Sequence, residues 1–318
     1  MSNLVTGGAG FIGSHLVDRL MRDGKTVRVF DNLASGSHNN LNKWRNNPNF
    51  EFIEGDLLNR LDVKRALEGC KTVYHFAANP EVQAKKASPE QHFKQNIEAT
   101  FNLLEEIRIQ GGIKTLVFAS SSTVYGETEV FPTNENSGPL LPISLYGASK
   151  LACESLISAY ASMYNFRAVM YRFANVVGSR SNHGVIWDFV GKLLDNPLEL
   201  EVLGDGTQSK SYLYIDDCVD GVLKGIESTR QVSVFNMGSL DRANVLEIAE
   251  IVKEETGNPA AVIRTTGGVD GGRGWKGDVK IMQLDVSKLM AHGWAAKHNS
   301  VDAITLTTRS IFKKRKKT

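Results

Sequence analysis

The feature that most constrains this chain is the run Leu4 to Leu16, Leu-Val-Thr-Gly-Gly-Ala-Gly-Phe-Ile-Gly-Ser-His-Leu, where an apolar strand passes through spaced glycines into a helix. Gly7 lets the chain turn at the strand end, Gly10 lets backbone come close to a phosphate, and Gly13 lets the new helix pack on the strand. The helix opens around Phe11 and Ile12, and its unpaired backbone N–H groups, at the positive end of the dipole, favour a pyrophosphate. The Gly-x-x-Gly-x-x-Gly spacing differs from the usual Gly-x-Gly-x-x-Gly, and a glycine cluster alone also serves as an ordinary strand-to-helix turn.

The residues that follow narrow the choice. A helix over Phe11 to Met21 stops at Gly24, and Lys25 to Phe30 reads as a strand that ends at Asp31. An acid there accepts both hydroxyls of an adenosine ribose and repels a 2′-phosphate, which favours NAD over NADP. Asn32, Ser35 and Gly36 continue as a polar turn beside the cofactor. Strand, glycines, helix, strand and acid fall in the required order within about thirty residues.

Strand patterns recur at Phe50 to Glu54, Thr72 to Phe76, Thr115 to Ser120 and Arg167 to Phe173. Helical stretches separate them at Leu61 to Glu68, Pro89 to Ile109 and Tyr146 to Tyr164. That alternation predicts an α/β fold, a Rossmann-type doubly wound parallel sheet covered on both faces. After about residue 175 the rhythm weakens into glycine-rich loops and scattered short elements. The expected organisation is an NAD-binding domain over 1–174, with a return near 211–237, and a smaller substrate domain over 175–318. An apolar fraction of 42% in 318 residues is ordinary for a globular enzyme.

Charge and cysteine use exclude several classes. The net charge is +2, but Lys313, Lys314, Arg315, Lys316 and Lys317 carry +5 of it, so the body is acidic and no nucleic-acid partner is expected. The basic tail reads as a frayed, solvated terminus. Cys70, Cys153 and Cys218 are scattered and odd in number, as expected of thiols in a reducing compartment, and no metal-ligand spacing joins them to the seven histidines. With a strand starting almost at Met1 and no long apolar run, the expectation is a cytoplasmic protein without signal peptide or membrane span.

In open α/β sheets, ligands bind at the carboxyl ends of the strands. Asp56 and Leu57 follow the third strand, with the acid suited to an adenine amino group. Phe76, Ala77 and Ala78 follow the fourth, the alanines small enough for backbone to approach a cofactor. Ser120 to Tyr125 follow the fifth. Tyr146 and Lys150 stand four apart at the start of a helix and so share a face. A neighbouring ammonium favours the phenolate, which takes a proton from an alcohol as hydride leaves.

The segments Thr6 to Gly13, Asp31-Asn32-Leu33, His75-Phe76-Ala77-Ala78, Ser120-Ser121-Ser122-Thr123-Val124-Tyr125-Gly126 and Tyr146-Gly147-Ala148-Ser149-Lys150 together resemble an extended short-chain dehydrogenase/reductase. Within that group the chain is most similar to nucleotide-sugar epimerases of the UDP-glucose 4-epimerase type, through Leu203-Gly204-Asp205-Gly206 and Gly274-Trp275-Lys276-Gly277-Asp278. The resemblance implies NAD as cofactor and a UDP-sugar as substrate. It makes Tyr146 the base, Lys150 its electrostatic partner and ribose anchor, and Ser121 the hydroxyl shared with the sugar O4, with Ser122 beside it. Asn96 and Ser120 would face the cofactor, Asn175 and Lys210 the diphosphate, Val185 the uracil, Tyr212 the nucleotide and Asp278 the uridine ribose. It also implies a homodimer built from the helices around Ala99 and Ala159.

Departures from the family's pattern are visible. Lys210 stands where an arginine is usual and lacks the bidentate fork. Arg273 is slightly out of register with the other phosphate arginine. Met282 falls near the position that gates sugar size, and Pro80 where some epimerases carry a lysine. A 4,6-dehydratase needs an acid pair beside the catalytic hydroxyl, and Ser122 and Thr123 stand there instead. A uronate epimerase or decarboxylase, a dinucleotide sensor and a net oxidoreductase remain as alternatives.

Overall fold

A computed structural model describes residues 2–83 and 87–316; of the residues read above, Met1 and Lys317 lie outside them. The chain divides into two compact units. The first comprises Met1–Val124, Leu145–Arg172 and Val222–Phe235, and the second comprises Tyr125–Ser144, Phe173–Gly221 and the chain from Asn236 onward.

The first unit is built on β1 (Ser2–Thr6), β2 (Thr26–Asp31), β3 (Phe50–Glu54), β4 (Cys70–His75), β5 (Thr115–Ser121) and β6 (Arg167–Phe173). They lie in the order 3-2-1-4-5-6, with the strand Val232–Met237 beyond β6. The pairs β1/β2, β2/β3, β1/β4 and β4/β5 are parallel. The order reverses between β1 and β4, which opens a crevice at the strands' carboxyl ends. Six successive residues of β5 are buried, the continuous apolar run of a strand covered on both faces.

Helices α1 (Phe11–Arg22), α2 (Arg60–Leu67), α3 (Pro89–His92), α4 (Ala99–Gln110) and α5 (Leu145–Tyr164) belong to this unit. Leu103, Leu104 and Ile107 of α4 and Cys153, Ile157 and Ala161 of α5 pack on Leu4, Leu116 and Phe118 of the sheet in one core. The single helix expected over Pro89 to Ile109 is interrupted: Ser88 caps α3 with a capping box, and Phe93–Glu98 winds as a π-helix before α4 begins. Composition carries no mark of an i→i+5 turn, and such turns concentrate at functional sites.

The second unit is more regular than its sequence rhythm led us to expect. Between strands of two to four residues it carries α6 (Val185–Asp195), α7 (Ile215–Gly225, whose end joins the first unit), α8 (Val245–Thr256) and a C-terminal helix, Ser300–Arg315. Ile186, Phe189 and Leu193 of α6, Ile248 and Val252 of α8 and Ile304 and Ile311 of the C-terminal helix form its core. The segment 125–144, read from sequence within 1–174, groups with this unit. Asn236 holds it there: the side chain accepts from Tyr125 Oη and donates to the Thr133 carbonyl, while its backbone N–H donates to Glu135. The basic terminus is not frayed through Arg315. Lys313 to Arg315 are helical, and the Arg315 guanidinium stacks 3.9 Å from the Trp187 ring centre.

Leu103 is fully buried between α4 and the sheet. Leu103→Ala is expected to cost about 2–5 kcal/mol of stability, read as a lowered denaturant midpoint at unchanged slope.

Candidate active site

At the first crevice the glycines are required by geometry. Gly7 adopts a φ of +68°, and a Cβ there would stand 2.6 Å from the Ala77 nitrogen. A Cβ at Gly13 would stand 2.2 Å from the Gly7 carbonyl oxygen. The loop is thus pressed against the ends of β4 and α1 at once. Gly10 is the N-cap of α1 and offers no side-chain bond, so the first-turn N–H groups of Phe11, Ile12 and Gly13 keep their donors for another acceptor.

Asp31, at the end of β2, is buried and accepts from the Ala9 N–H at 2.9 Å and the Leu33 N–H at 2.8 Å. Burial raises its pKa, and those two bonds act against the shift. Gly36 lies against Ala9, and the Ser37 and Asn40 groups donate to the Ala9 carbonyl, so the loop after β2 is tied to the glycine turn; Ser35 is exposed on it. Asn32 donates to Asp56, which also caps the Leu58 N–H, and Leu57 is buried beneath. The backbone N–H groups of Phe76 and Ala77 donate to Thr6, and Ala78 follows, part-buried. An uncapped helix terminus beside a fixed carboxylate fits a dinucleotide, with Phe11–Gly13 for the pyrophosphate and Asp31 for the ribose.

The candidate reacting groups lie along one stripe of α5. Tyr146 is hydrogen-bonded to the Ser121 hydroxyl. Thr123 directs a backbone N–H at 3.2 Å and its hydroxyl at 2.9 Å to Ser121 Oγ, so the Ser121 proton is the one left for the tyrosine oxygen. One turn on, buried Lys150 donates to the Ala119 carbonyl at 2.8 Å, and its ammonium stands 5.7 Å from the Tyr146 ring centre. Burial pushes the Tyr146 hydroxyl up to about 12, against the Ser121 bond, and pulls Lys150 down to about 8, against the neighbouring Cys153 and Glu154. At neutral pH the pair is phenol and ammonium.

Two expected cofactor contacts are engaged elsewhere. The Asn96 side chain, on the π-helical turn, accepts from the Asn79 N–H and donates to the Asn79 carbonyl and Ser149 Oγ, and Ser149 donates to the Tyr146 carbonyl. It clamps the loop after β4 to α5. Ser120 directs its hydroxyl to Glu154 at 2.5 Å. Ser122 opens the 3-10 turn after β5, part-buried.

Within the second unit, the substrate candidates pair with one another. Asn175 pairs in register with Tyr212, their side chains hydrogen-bonded, and burial raises the tyrosine's pKa. Lys210, paired in register with Met282, forms a 2.6 Å ion pair with buried Asp278. Arg273 donates to the Asp278 carbonyl and also bonds Glu127. Val185, the first residue of α6, packs against the core cluster that also contains Tyr212.

Sequence reasoning missed three residues here. Thr123 orients Ser121 and is signalled only by its two-residue spacing. Trp275 has a buried indole N–H without a partner and lies under Lys210, its ring centre 5.6 Å from the ammonium. His92 is buried edge-on to Tyr146, with ring centres 6.3 Å apart and Nδ1 unpartnered; burial lowers its pKa. Among the described residues no group of His, Cys, Asp or Glu is arranged to hold a metal ion, and no helix is long and apolar enough to cross a membrane.

Known proteins share both sequence and architecture. Residues 3–238 match the NAD dependent epimerase/dehydratase family. A UDP-glucose 4-epimerase of Mycolicibacterium smegmatis is 32% identical, covering 81% of this chain and 84% of that one. UDP-glucuronic acid decarboxylase 6 of Arabidopsis thaliana is 35% identical over 80% of this chain and 74% of its own. Among solved structures, a UDP-galactose 4-epimerase is 44% identical with a TM-score of 0.86, covering 99% of each chain. A UDP-glucose 4-epimerase from Thermotoga maritima with UDP-glucose is 33% identical with a TM-score of 0.87, covering 99% of this chain and 100% of that one. A dTDP-glucose 4,6-dehydratase from Streptomyces venezuelae with NAD bound is 28% identical with a TM-score of 0.90, covering 99% of this chain and 98% of that one. With its glycine turn, fixed Asp31 and Ser121–Tyr146–Lys150 stripe, this chain belongs to the NAD dependent epimerase/dehydratase family, the extended short-chain dehydrogenase/reductases that act on nucleotide sugars with NAD.

Proposed function

We propose that the protein inverts C4 of a UDP-hexose of the UDP-glucose/UDP-galactose type through a transient 4-keto sugar. The observation that carries this reading is the set of hydroxyls around Tyr146. Ser121 is oriented by Thr123, and no carboxylic acid stands at Ser122 or Thr123 to protonate a leaving hydroxide, as elimination would require. The 44% identity to a UDP-galactose 4-epimerase over 99% of the chain supports the same reading.

In this mechanism Tyr146 first releases its own proton to solvent and then, as the phenolate, takes the O4 proton while Ser121 holds the oxygen. Lys150 keeps a positive charge beside the ring, which lowers the cost of the phenolate. NAD, held by Phe11–Gly13 and Asp31, supplies the hydride acceptor and donor when bound. Asn175, Lys210 and Arg273 hold the diphosphate, with Val185 and Tyr212 at the base and Asp278 at the ribose. Firm contacts to the nucleotide and weak ones to the sugar let both faces of the ring be presented in turn.

Tyr146→Phe keeps the ring and removes the transferable proton. Activity is expected to fall about 10²–10⁴-fold with NAD still bound; turnover within threefold of the parent would remove Tyr146 from the role.

Asp31→Ala is expected to weaken NAD about tenfold or more, through loss of charged hydrogen bonds, and to narrow its advantage over NADP. Calorimetric titration of both cofactors checks this, and equal affinities in the unmodified protein would contradict the assignment.

A UDP-hexose deuterated at C4 should give the epimer with deuterium retained at C4 and no solvent exchange there. Release of free NADH, a 4-keto-6-deoxy product or loss of the label would exclude epimerisation.

A further inference from the structure

Three successive residues at the end of β5 meet three residues of α5 spaced four apart. Ser121 meets Tyr146, the Ala119 carbonyl meets Lys150, and Ser120 Oγ meets Glu154 Oε1 at 2.5 Å. The third contact has received no role. Glu154 is buried, and so is its partner Arg172 on β6, whose Nε lies 3.0 Å from Oε1 and whose Nη2 lies 2.7 Å from Oε2. A buried carboxylate bound by both a guanidinium and a hydroxyl is fixed in place more firmly than any surface pair.

We propose that Glu154 is a positioning residue for the reaction, fixing the end of β5 against α5 through Ser120 and supplying the standing negative charge that keeps Lys150 an ammonium. The need for that charge follows from what surrounds the lysine. Tyr146, Cys153 and Glu154 face it from α5, His75 from β4, and Arg172 stands behind Glu154 on β6. Burial pushes the Cys153 thiol up and His75 down to about 3, so both are neutral at working pH, and before cofactor and substrate bind the tyrosine is neutral too. Glu154 is then the anion that opposes the desolvation of Lys150. With the carboxylate gone, the Arg172 charge is no longer offset by Glu154 and acts in the same direction as burial, and Lys150 loses its proton at lower pH.

The inference rests on the proposed reaction only for its kinetic readout. Glu154→Gln keeps the shape and removes the charge. Its alkaline limb of kcat is expected about one unit below the parent's, with KM at the plateau unchanged, whereas Glu154→Asp keeps the limb in place. The Lys150 midpoint is also read without turnover, from the carbon-13 ε-methylene resonance assigned with Lys150→Arg, and should fall by a similar amount. If Glu154→Gln does not fold, Glu154→Gln/Arg172→Met removes the guanidinium together with the carboxylate and should show a smaller downward shift. A Lys150 midpoint unchanged in every folded variant that lacks the carboxylate would overturn the inference. A parent protein inactive on UDP-hexoses would instead overturn the proposed reaction, and the resonance would still decide the role of Glu154.

Discussion

The proposed chemistry of the first unit depends on one ammonium group being buried and still charged. Lys150 has a single carbonyl acceptor, Ala119, and the faces of Phe118 and Tyr146, 4.8 and 5.7 Å away, to replace the water it has lost. Removing a charge from water is costly unless it is paired. Such a group persists only where strand, helix and a nearby carboxylate are all fixed, and the parallel sheet supplies that rigidity. β5 is buried along its length, α5 lies on it through Cys153, Ile157 and Ala161, and Arg172 on β6 holds Glu154 from the far side.

Burial moves the two ends of the Tyr146–Lys150 pair in opposite directions, the phenol up to about 12 and the ammonium down to about 8. Both shifts favour the neutral form of each group. A phenol that high is a weak base until an oriented donor and a positive charge oppose its desolvation. Ser121 is that donor because Thr123 occupies its acceptor side from both backbone and side chain. The serine's direction is set by a neighbour two residues away in the chain, a local device that stays intact as long as the turn after β5 does.

The second unit uses charge differently. Two cations of its candidate site are already matched with acids: Lys210 with Asp278, and Arg273 with Glu127. A cluster balanced in this way can be packed beside half-buried Asn175 and buried Tyr212 without an isolated charge in its interior. The indole N–H of Trp275 is the exception, a buried donor with no acceptor, and unmet donors in an otherwise satisfied cluster mark where another molecule's oxygen fits.

Much of the first unit was legible because its signals are local. β3 and β6 begin and end where the alternation of apolar residues places them, and the glycine turn, Asp31 and the Tyr146–Lys150 spacing are each carried by a few consecutive residues. What was not legible depends on partners distant in the chain. The π-helical turn at Phe93–Glu98 has no compositional mark, yet it places Asn96 where one side chain grips Asn79 and Ser149. Segment 125–144 looked like part of the first unit until Asn236, about a hundred residues on, supplied its hydrogen bonds. Glu154 reads in sequence as one more polar residue on a helix. Only the fold reveals that it is buried, because its meaning resides in Arg172 and Ser120, which reach it from two different strands.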